Sequence, residues 1–480
     1  MAASADTPEV ELDPLIGEIA DYICAPPPDG EDALDAAHLT VMDTLGCGLG
    51  ALGDPDCRKR LGPHVPGTIV PNGAQVPGTP HRLDPVQAAF ANATMNRWLD
   101  YNESYFGKEG GHPSDNIGAV FAVCDYISRV NRSKGAAALT MRDLIQACLM
   151  THEVHGGLAN ENSYLDHGLD HELMIRVASA GVTCRLFGGN RDHVISAITN
   201  AFADGGTLRL YRQPPTTGTR KCWAAGDAAA RGVRLAMLAV DGEDAYPTVL
   251  SAPKYGFIER RWGGDPFTLR EPPSDKVIQN NVIKVWPTEG HAQSALEAAV
   301  RLYPEVKDRI DDIERIAIRS HTYTMKQVDR SGPLRNEADR DHCIQYIVAI
   351  GLLQGRLAYE DYSDERAADP RIDALRDITT VTADDGFTSD YYDLNVKSDA
   401  NAVQVHFKDG SSTEDMVVDF PLGHKNRRTD GGIDRIGEKF RENIVIGLTH
   451  HQQAFLLPLF DDRAALEAMD VDSFMDALAG

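Results

Sequence analysis

The chain has 480 residues, 42% of them hydrophobic, and carries 47 Lys plus Arg against 72 Asp plus Glu, a formal net charge of −25. That balance excludes a phosphate-binding protein of nucleic acid and a polybasic membrane-docking protein, because both need a positive face. The hydrophobic share is enough for packed cores, which excludes a disordered chain, and the length predicts two domains. Lysine is scarce, 13 against 34 arginines, and Asp outnumbers Glu about two to one, a bias that a salt-adapted surface would explain.

The N-terminus, MAASADTPEVELDP, has neither the basic-then-apolar pattern of a signal peptide nor the Arg-rich character of a transit peptide. No run of about 18 apolar residues is present. Eight cysteines are scattered with no CxxC, so a reducing cytoplasm is expected rather than a disulfide scaffold.

In chain order, residues 32–52 place Leu34, Ala37, Val41 and Leu45 on one helical stripe. Gly48 to Gly53 matches GxGxxG, but the glycines end a helix instead of following a strand, so no dinucleotide site is expected. Asp100 to Ser104 and Gly110 to Ser114 bring a carboxylate, a hydroxyl, an imidazole and a Gly-rich bend close together. Asp100 and Ser104, at i and i+4, would share a face if helical. Ile117 to Cys124 and Leu173 to Ala180 repeat the helical spacing, and Gly188-Gly189 ends a helix. His152-Glu153-Val154-His155 has spacing i, i+3, one short of a zinc helix, and reads as a core or surface pair. Arg220 and Lys221 enter an Ala/Gly-rich helix whose N-terminal end suits an anion. Cys222 beside them reads as a buried small hydrophobe.

After about Lys276 the period changes. Val282 to Trp286 is β-rich, and Ile316 and Ile318 lie two apart. Val403, Val405 and Phe407 alternate before Asp409-Gly410, and Met416, Val418 and Phe420 alternate after it, which predicts a hairpin. Residues 291–302 and 342–357 read as helices between strands. The pattern predicts an α+β, mainly α, chain: a helical domain over 1–276, an inserted α+β domain over 277–422, and a helical return over 423–480.

Several stretches then stand out together: GHPSDNIGA (111–119), GLDHEL (168–173), TGTRKCWAAGDA (217–228), YPTVLSAPKYGF (246–257), ADRDHCIQYIVAIGLLQGRL (338–357) and GHKNRRTDGG (423–432). On these motifs the sequence resembles the MmgE/PrpD family, in its methylcitrate-dehydrating branch. The resemblance implies a helical domain from both chain ends with an inserted lid. It implies a homodimer that acts on a small tricarboxylate with no cofactor and no metal, hence without an iron–sulfur cluster. The implied reaction is removal of water from 2-methylcitrate in propionate catabolism.

Matched position by position, the resemblance implies Asp100, His112, His171, Lys221 and Tyr346 as catalytic residues. Ser104 (threonine is usual there), Arg220, Lys284 and His291 are implied as substrate-binding residues. The chemistry wants these types: a base takes a carbon-bound proton, an acid protonates the leaving oxygen, and cations hold the carboxylates. Lys221→Ala is expected to lose activity and keep the fold. Decarboxylation of cis-aconitate, another lyase or isomerase reaction on a polycarboxylate, and silent polycarboxylate binding are the competing expectations.

Overall fold

A computed structural model describes residues 10–213, 215–269 and 273–480. The first nine residues, where the expectation of no leader rests in part, lie outside the described residues.

The first half of the chain folds into eight main helices: α1 (Pro14–Cys24), α2 (Glu31–Ala51), α3 (Pro85–Arg97), α4 (Ile117–Ser133), α5 (Met141–Glu161), α6 (Glu172–Leu186), α7 (Arg191–Ala203) and α8 (Arg220–Val240). Helix α3 is sandwiched between α4 and α8, and α8 also packs along α6. These contacts are close because the facing residues are small. A Cβ on Gly226 of α8 would fall 2.6 Å from the Phe90 carbonyl and against Thr94 of α3. A Cβ on Gly118 of α4 would collide with the backbone of Ala93. The Ala-rich composition that favours helix thus also permits the tight packing.

The short antiparallel pair β1 (Ala74–Gln75) and β2 (Arg82–Leu83) precedes α3. A second pair, β3 (Tyr105–Phe106) and β4 (Gly110–Gly111), carries the Gly-rich bend. The stretch between α3 and β3 is irregular, and Asp100 adopts φ +51°. The condition for Asp100 and Ser104 to share a face, a helix over 100–104, is therefore not met. The left-handed backbone, unusual for a residue with a Cβ, turns the Asp100 carboxylate toward Arg97, Lys221 and Lys284.

In the second half a four-stranded sheet has the order β6 (Thr379–Ala383), β5 (Ile313–Ser320), β7 (Asn401–Phe407), β8 (Met416–Val418). Strand β5 runs parallel to β6 and antiparallel to β7. The predicted hairpin is β7–β8, with Val403 opposite Met416. Helices α9 (Gln293–Val306) and α10 (Ile344–Gln354) pack with the sheet in a separate core that includes Leu296, Ile316, Ile347, Val403 and Val405. Val282 to Trp286, predicted as β-rich, forms no strand. It is an extended segment whose Val282 bridges Ser104 on one side and His424 on the other. Val282, Ile283 and Val285 are buried and the partly buried Trp286 packs against the cores of both halves, which satisfies them without a ladder. Helix α11 (Ile433–Gly447) packs back on α2, with Phe440 against Gly46.

Among the described residues no helix is long and apolar enough to cross a membrane.

Candidate functional site

The two halves meet at a polar cleft. The irregular segment after α3 supplies Asp100, the N-terminus of α8 supplies Lys221, and the extended segment supplies Lys284. All three are buried. Lys284 Nζ donates to the Asp100 carbonyl at 2.9 Å and pairs with its carboxylate. Arg97 Nη1 lies 2.7 Å, and Lys221 Nζ 3.4 Å, from the same carboxylate. Lys221 also pairs with Asp341 and lies 3.2 Å from His342 Nδ1. Burial pushes the Asp100 carboxyl up, but Arg97, Lys284 and Lys221 outweigh it and hold it well below the usual carboxylate range.

His112 and His171 face each other edge to face, with ring centroids 5.7 Å apart. His112 Nδ1 donates to the Glu103 carbonyl at 2.7 Å, which leaves Nε2 as the free acceptor. His171 stands at the N-terminal end of α6 between Asp170 (3.5 Å) and Glu172 (4.0 Å), and neither ring nitrogen makes a hydrogen bond. Burial holds both imidazoles well below their ordinary pKa, and nearby cations, Arg97 and Lys284 for His112 and Arg212 and Arg209 for His171, add to it. Both rings are therefore neutral at pH 7.

Around the imidazoles stand groups that the sequence reading missed. Arg212 Nε donates to Asp170 and its Nη2 to Glu172, both at 2.7 Å. Burial and the Asp170 charge push Glu172 up to about 8. Arg209 Nη2 donates to Gln327 Oε1 across the cleft at 2.9 Å. Tyr323 accepts from Gly110 N–H at 2.8 Å. Arg212 Nη1 and Arg209 Nε have no hydrogen-bond partner. The lone signal for these arginines is their i, i+3 spacing in the turn Arg209–Arg212. His342 lies within ADRDHCIQY but in the turn that precedes α10, whereas the family motif points to Tyr346 inside that helix.

The structure places Ser104, His112, His171 and His291 on the cleft wall, and Asp100, Lys221 and Lys284 in a buried ion cluster beside it. Ser104 Oγ is buried and unpaired beside Gly290. His291 bridges Glu289 (2.8 Å) and the Tyr391 hydroxyl (3.2 Å). Burial pulls His291 down, but Glu289 outweighs it and the net shift is upward.

Two expected residues lie elsewhere. Tyr346 sits in the first turn of α10, four residues beyond His342, and its hydroxyl donates to the Asp361 carbonyl at 2.7 Å, away from the cleft. Arg220 is half-exposed, pairs with Asp227 at 3.1 Å and stacks over Trp223. Tyr346→Phe is expected to keep kcat within about threefold and to cost about 1 kcal/mol of stability, the worth of one hydrogen bond. Steady-state kinetics and urea unfolding check both.

Two carboxylate–imidazole sets, Asp100/Asp341/His342 and Asp170/His171/Glu172, are compact enough to ligate a cation, and neither contains a cysteine. Both are engaged by cations of the chain itself, Lys221 in the first and Arg212 in the second. The space left between His112, His171, Arg209, Tyr323 and His291 is about 30 Å³, room for a water or two.

Residues 17–270 match the family description "MmgE/PrpD N-terminal domain" and residues 286–457 match "MmgE/PrpD C-terminal domain". The chain is 45% identical to the 2-methylcitrate dehydratase of Escherichia coli (strain K12), over 99% of both chains. It is 45% identical to that of Cupriavidus necator, over 99% of this chain and 100% of the relative. It is also 40% identical to the mitochondrial 2-methylcitrate dehydratase of Yarrowia lipolytica, over 98% of this chain and 91% of the relative.

Proposed function

The chain belongs to the MmgE/PrpD family, and from that premise we propose that it is a hydro-lyase that removes water from 2-methylcitrate to give 2-methyl-cis-aconitate. One observation in the site carries this reading. Two neutral, facing imidazoles stand among buried guanidinium and ammonium groups, with unpaired donors on Arg209 and Arg212. A tricarboxylate needs such cations, and the elimination needs groups that move protons near neutral pH.

In this reading Arg97, Arg209, Arg212 and Lys284 hold carboxylates. One imidazole takes the proton from the carbon next to a carboxylate. That C–H electron pair forms the alkene, the C–O bond breaks, and the leaving oxygen takes a proton from the Lys221 ammonium and departs as water. Lys221 and Ser104 donate toward the charge that grows on the oxygens. The chain's own cations and imidazoles supply each of these roles, and the scattered cysteines fit a dehydratase that needs no iron–sulfur cluster.

The closed cleft of about 30 Å³ falls far below the roughly 300 Å³ of a small-molecule site. The substrate therefore enters when the inserted domain swings away. Reclosure on the bound anion excludes water and strengthens each ion pair. The family premise further supports a homodimer in the cytoplasm, which light scattering after size exclusion and cell fractionation test.

The test of function is to incubate the metal-stripped protein separately with 2-methylcitrate, citrate and cis-aconitate. New alkene absorbance from 2-methylcitrate supports the reading. Gas release from cis-aconitate points to the decarboxylase instead, and no conversion of any substrate points to a silent binding protein.

The pH profile gives a second check. The pKa of each imidazole is lowered by the fold, so the basic form survives as pH falls through 6.5 and is lost only near the depressed value. The expected kcat/KM is flat from pH 7.5 to 6. An acidic limb centred on 6.5 would remove both histidines as the base.

A further inference from the structure

The turn His152-Glu153-Val154-His155 on α5 is buried behind the cleft, and the proposed reaction makes no use of it. Its contacts are specific. His152 Nδ1 lies 2.8 Å from the Cys148 carbonyl, and its Nε2 lies 3.1 Å from Glu103 Oε1. A carbonyl only accepts, so Nδ1 carries a hydrogen. Glu103 Oε1 also accepts from the Ser114 N–H at 2.6 Å. A hydrogen bond between Nε2 and Oε1 therefore needs one more proton, held by the imidazole or by the carboxyl. Either way the ring and the carboxyl share one proton.

The backbone carbonyl of the same Glu103 accepts from His112 Nδ1. The residue after His112 is tied to the same turn from the other side. Asn116 Nδ2 donates to the Pro113 carbonyl at 2.9 Å and to His155 Nδ1 at 3.3 Å. Both flanks of His112 thus hang on one turn of α5.

We propose that His152 and Glu103 are positioning residues for His112. Their shared proton anchors Glu103, whose carbonyl then keeps His112 in the Nδ1–H form with Nε2 toward the cleft. Neither residue lines the space where substrate goes, so the pair acts through His112. This inference rests on the reading of His112 as a proton-transfer group.

The test combines kinetics with nitrogen NMR of the full-length protein carrying ¹⁵N-labelled histidine. In the unsubstituted protein His112 is expected as a single Nδ1–H tautomer. His152→Leu, which deletes the hydrogen-bond partner of Glu103, is expected to mix the His112 tautomers. It should lower kcat tenfold to a hundredfold with KM within threefold, since small misplacements of a reacting group cost this much. His152→Gln, whose amide can pair with Glu103 as donor or acceptor, is expected to recover kcat to within threefold and the single tautomer. Should His152→Leu fail to fold, Glu103→Met, close in volume and without a polar group to pair with His152, makes the same comparison. A pure His112 tautomer with kcat within threefold in the folded variant overturns the proposal. If the unsubstituted protein turns over none of the three substrates, the functional reading fails by itself, and the tautomer comparison still decides the positioning role.

Discussion

His112→Asn is expected to lower kcat by roughly 10² to 10⁴, the usual worth of a positioned acid or base, while KM changes only a few-fold. The asparagine amide reaches the same Glu103 carbonyl that His112 Nδ1 reaches at 2.7 Å, so local packing survives. The Nε2 acceptor aimed at the cleft is lost. The structure makes His112 the sharper choice of the two imidazoles, because its tautomer is set by a hydrogen bond. His171 has carboxylates on both sides and no hydrogen bond to set it. Alkene absorbance at saturating 2-methylcitrate measures the loss. A His112→Asn protein with more than a tenth of normal kcat would transfer the proton-abstracting role to His171.

Lys221→Ala is expected to lose at least 10² in kcat, in line with removal of one preorganised donor to a developing charge, and to lose stability as well. From sequence alone only the first effect is expected. The structure adds the second, because Lys221 is 1% exposed and lies between Asp100 and Asp341. Truncating one partner of a buried ion pair leaves uncompensated charge and costs about 3–5 kcal/mol. Adding Asp341→Asn to the Lys221→Ala protein removes one of the stranded carboxylates. That double variant is expected to regain stability in thermal unfolding without regaining turnover. Recovery of both would make Lys221 a structural residue only.

Much of the architecture was legible because it is written in local patterns. Helical periodicity marks α2, α4 and α6, Ala-rich composition marks α8, and alternation on both sides of Asp409-Gly410 marks the β7–β8 hairpin. Each depends on residues a few positions apart, which a linear reading sees directly. Val282 to Trp286 misled that reading because a buried apolar stretch looks like a strand whether or not it pairs. The shared face of Asp100 and Ser104 was conditional on a helix, because i, i+4 spacing carries meaning only inside one, and a left-handed residue stands there instead.

The site was legible in its residue types and less so in its membership. The family motifs pointed to Ser104, His112, His171 and His291, which line the cleft, and to Asp100, Lys221 and Lys284, which form the buried ion cluster beside it. They gave no means to separate His342 from Tyr346, four positions on along the same stretch, because only packing decides which of them faces the cleft. Nor did they single out Arg209 and Arg212 among 34 arginines.

The sequence by itself determined a mainly helical chain with an α+β insertion, a family, and a supply of imidazole, lysine and aspartate suited to a polyanion. Tertiary structure alone decided how those groups pair. Lys284 meets Asp100 across 184 residues, and Lys221 meets Asp341 across 120. Such pairs obey no local period, and their protonation is set by the burial and the neighbouring charges that folding imposes on them.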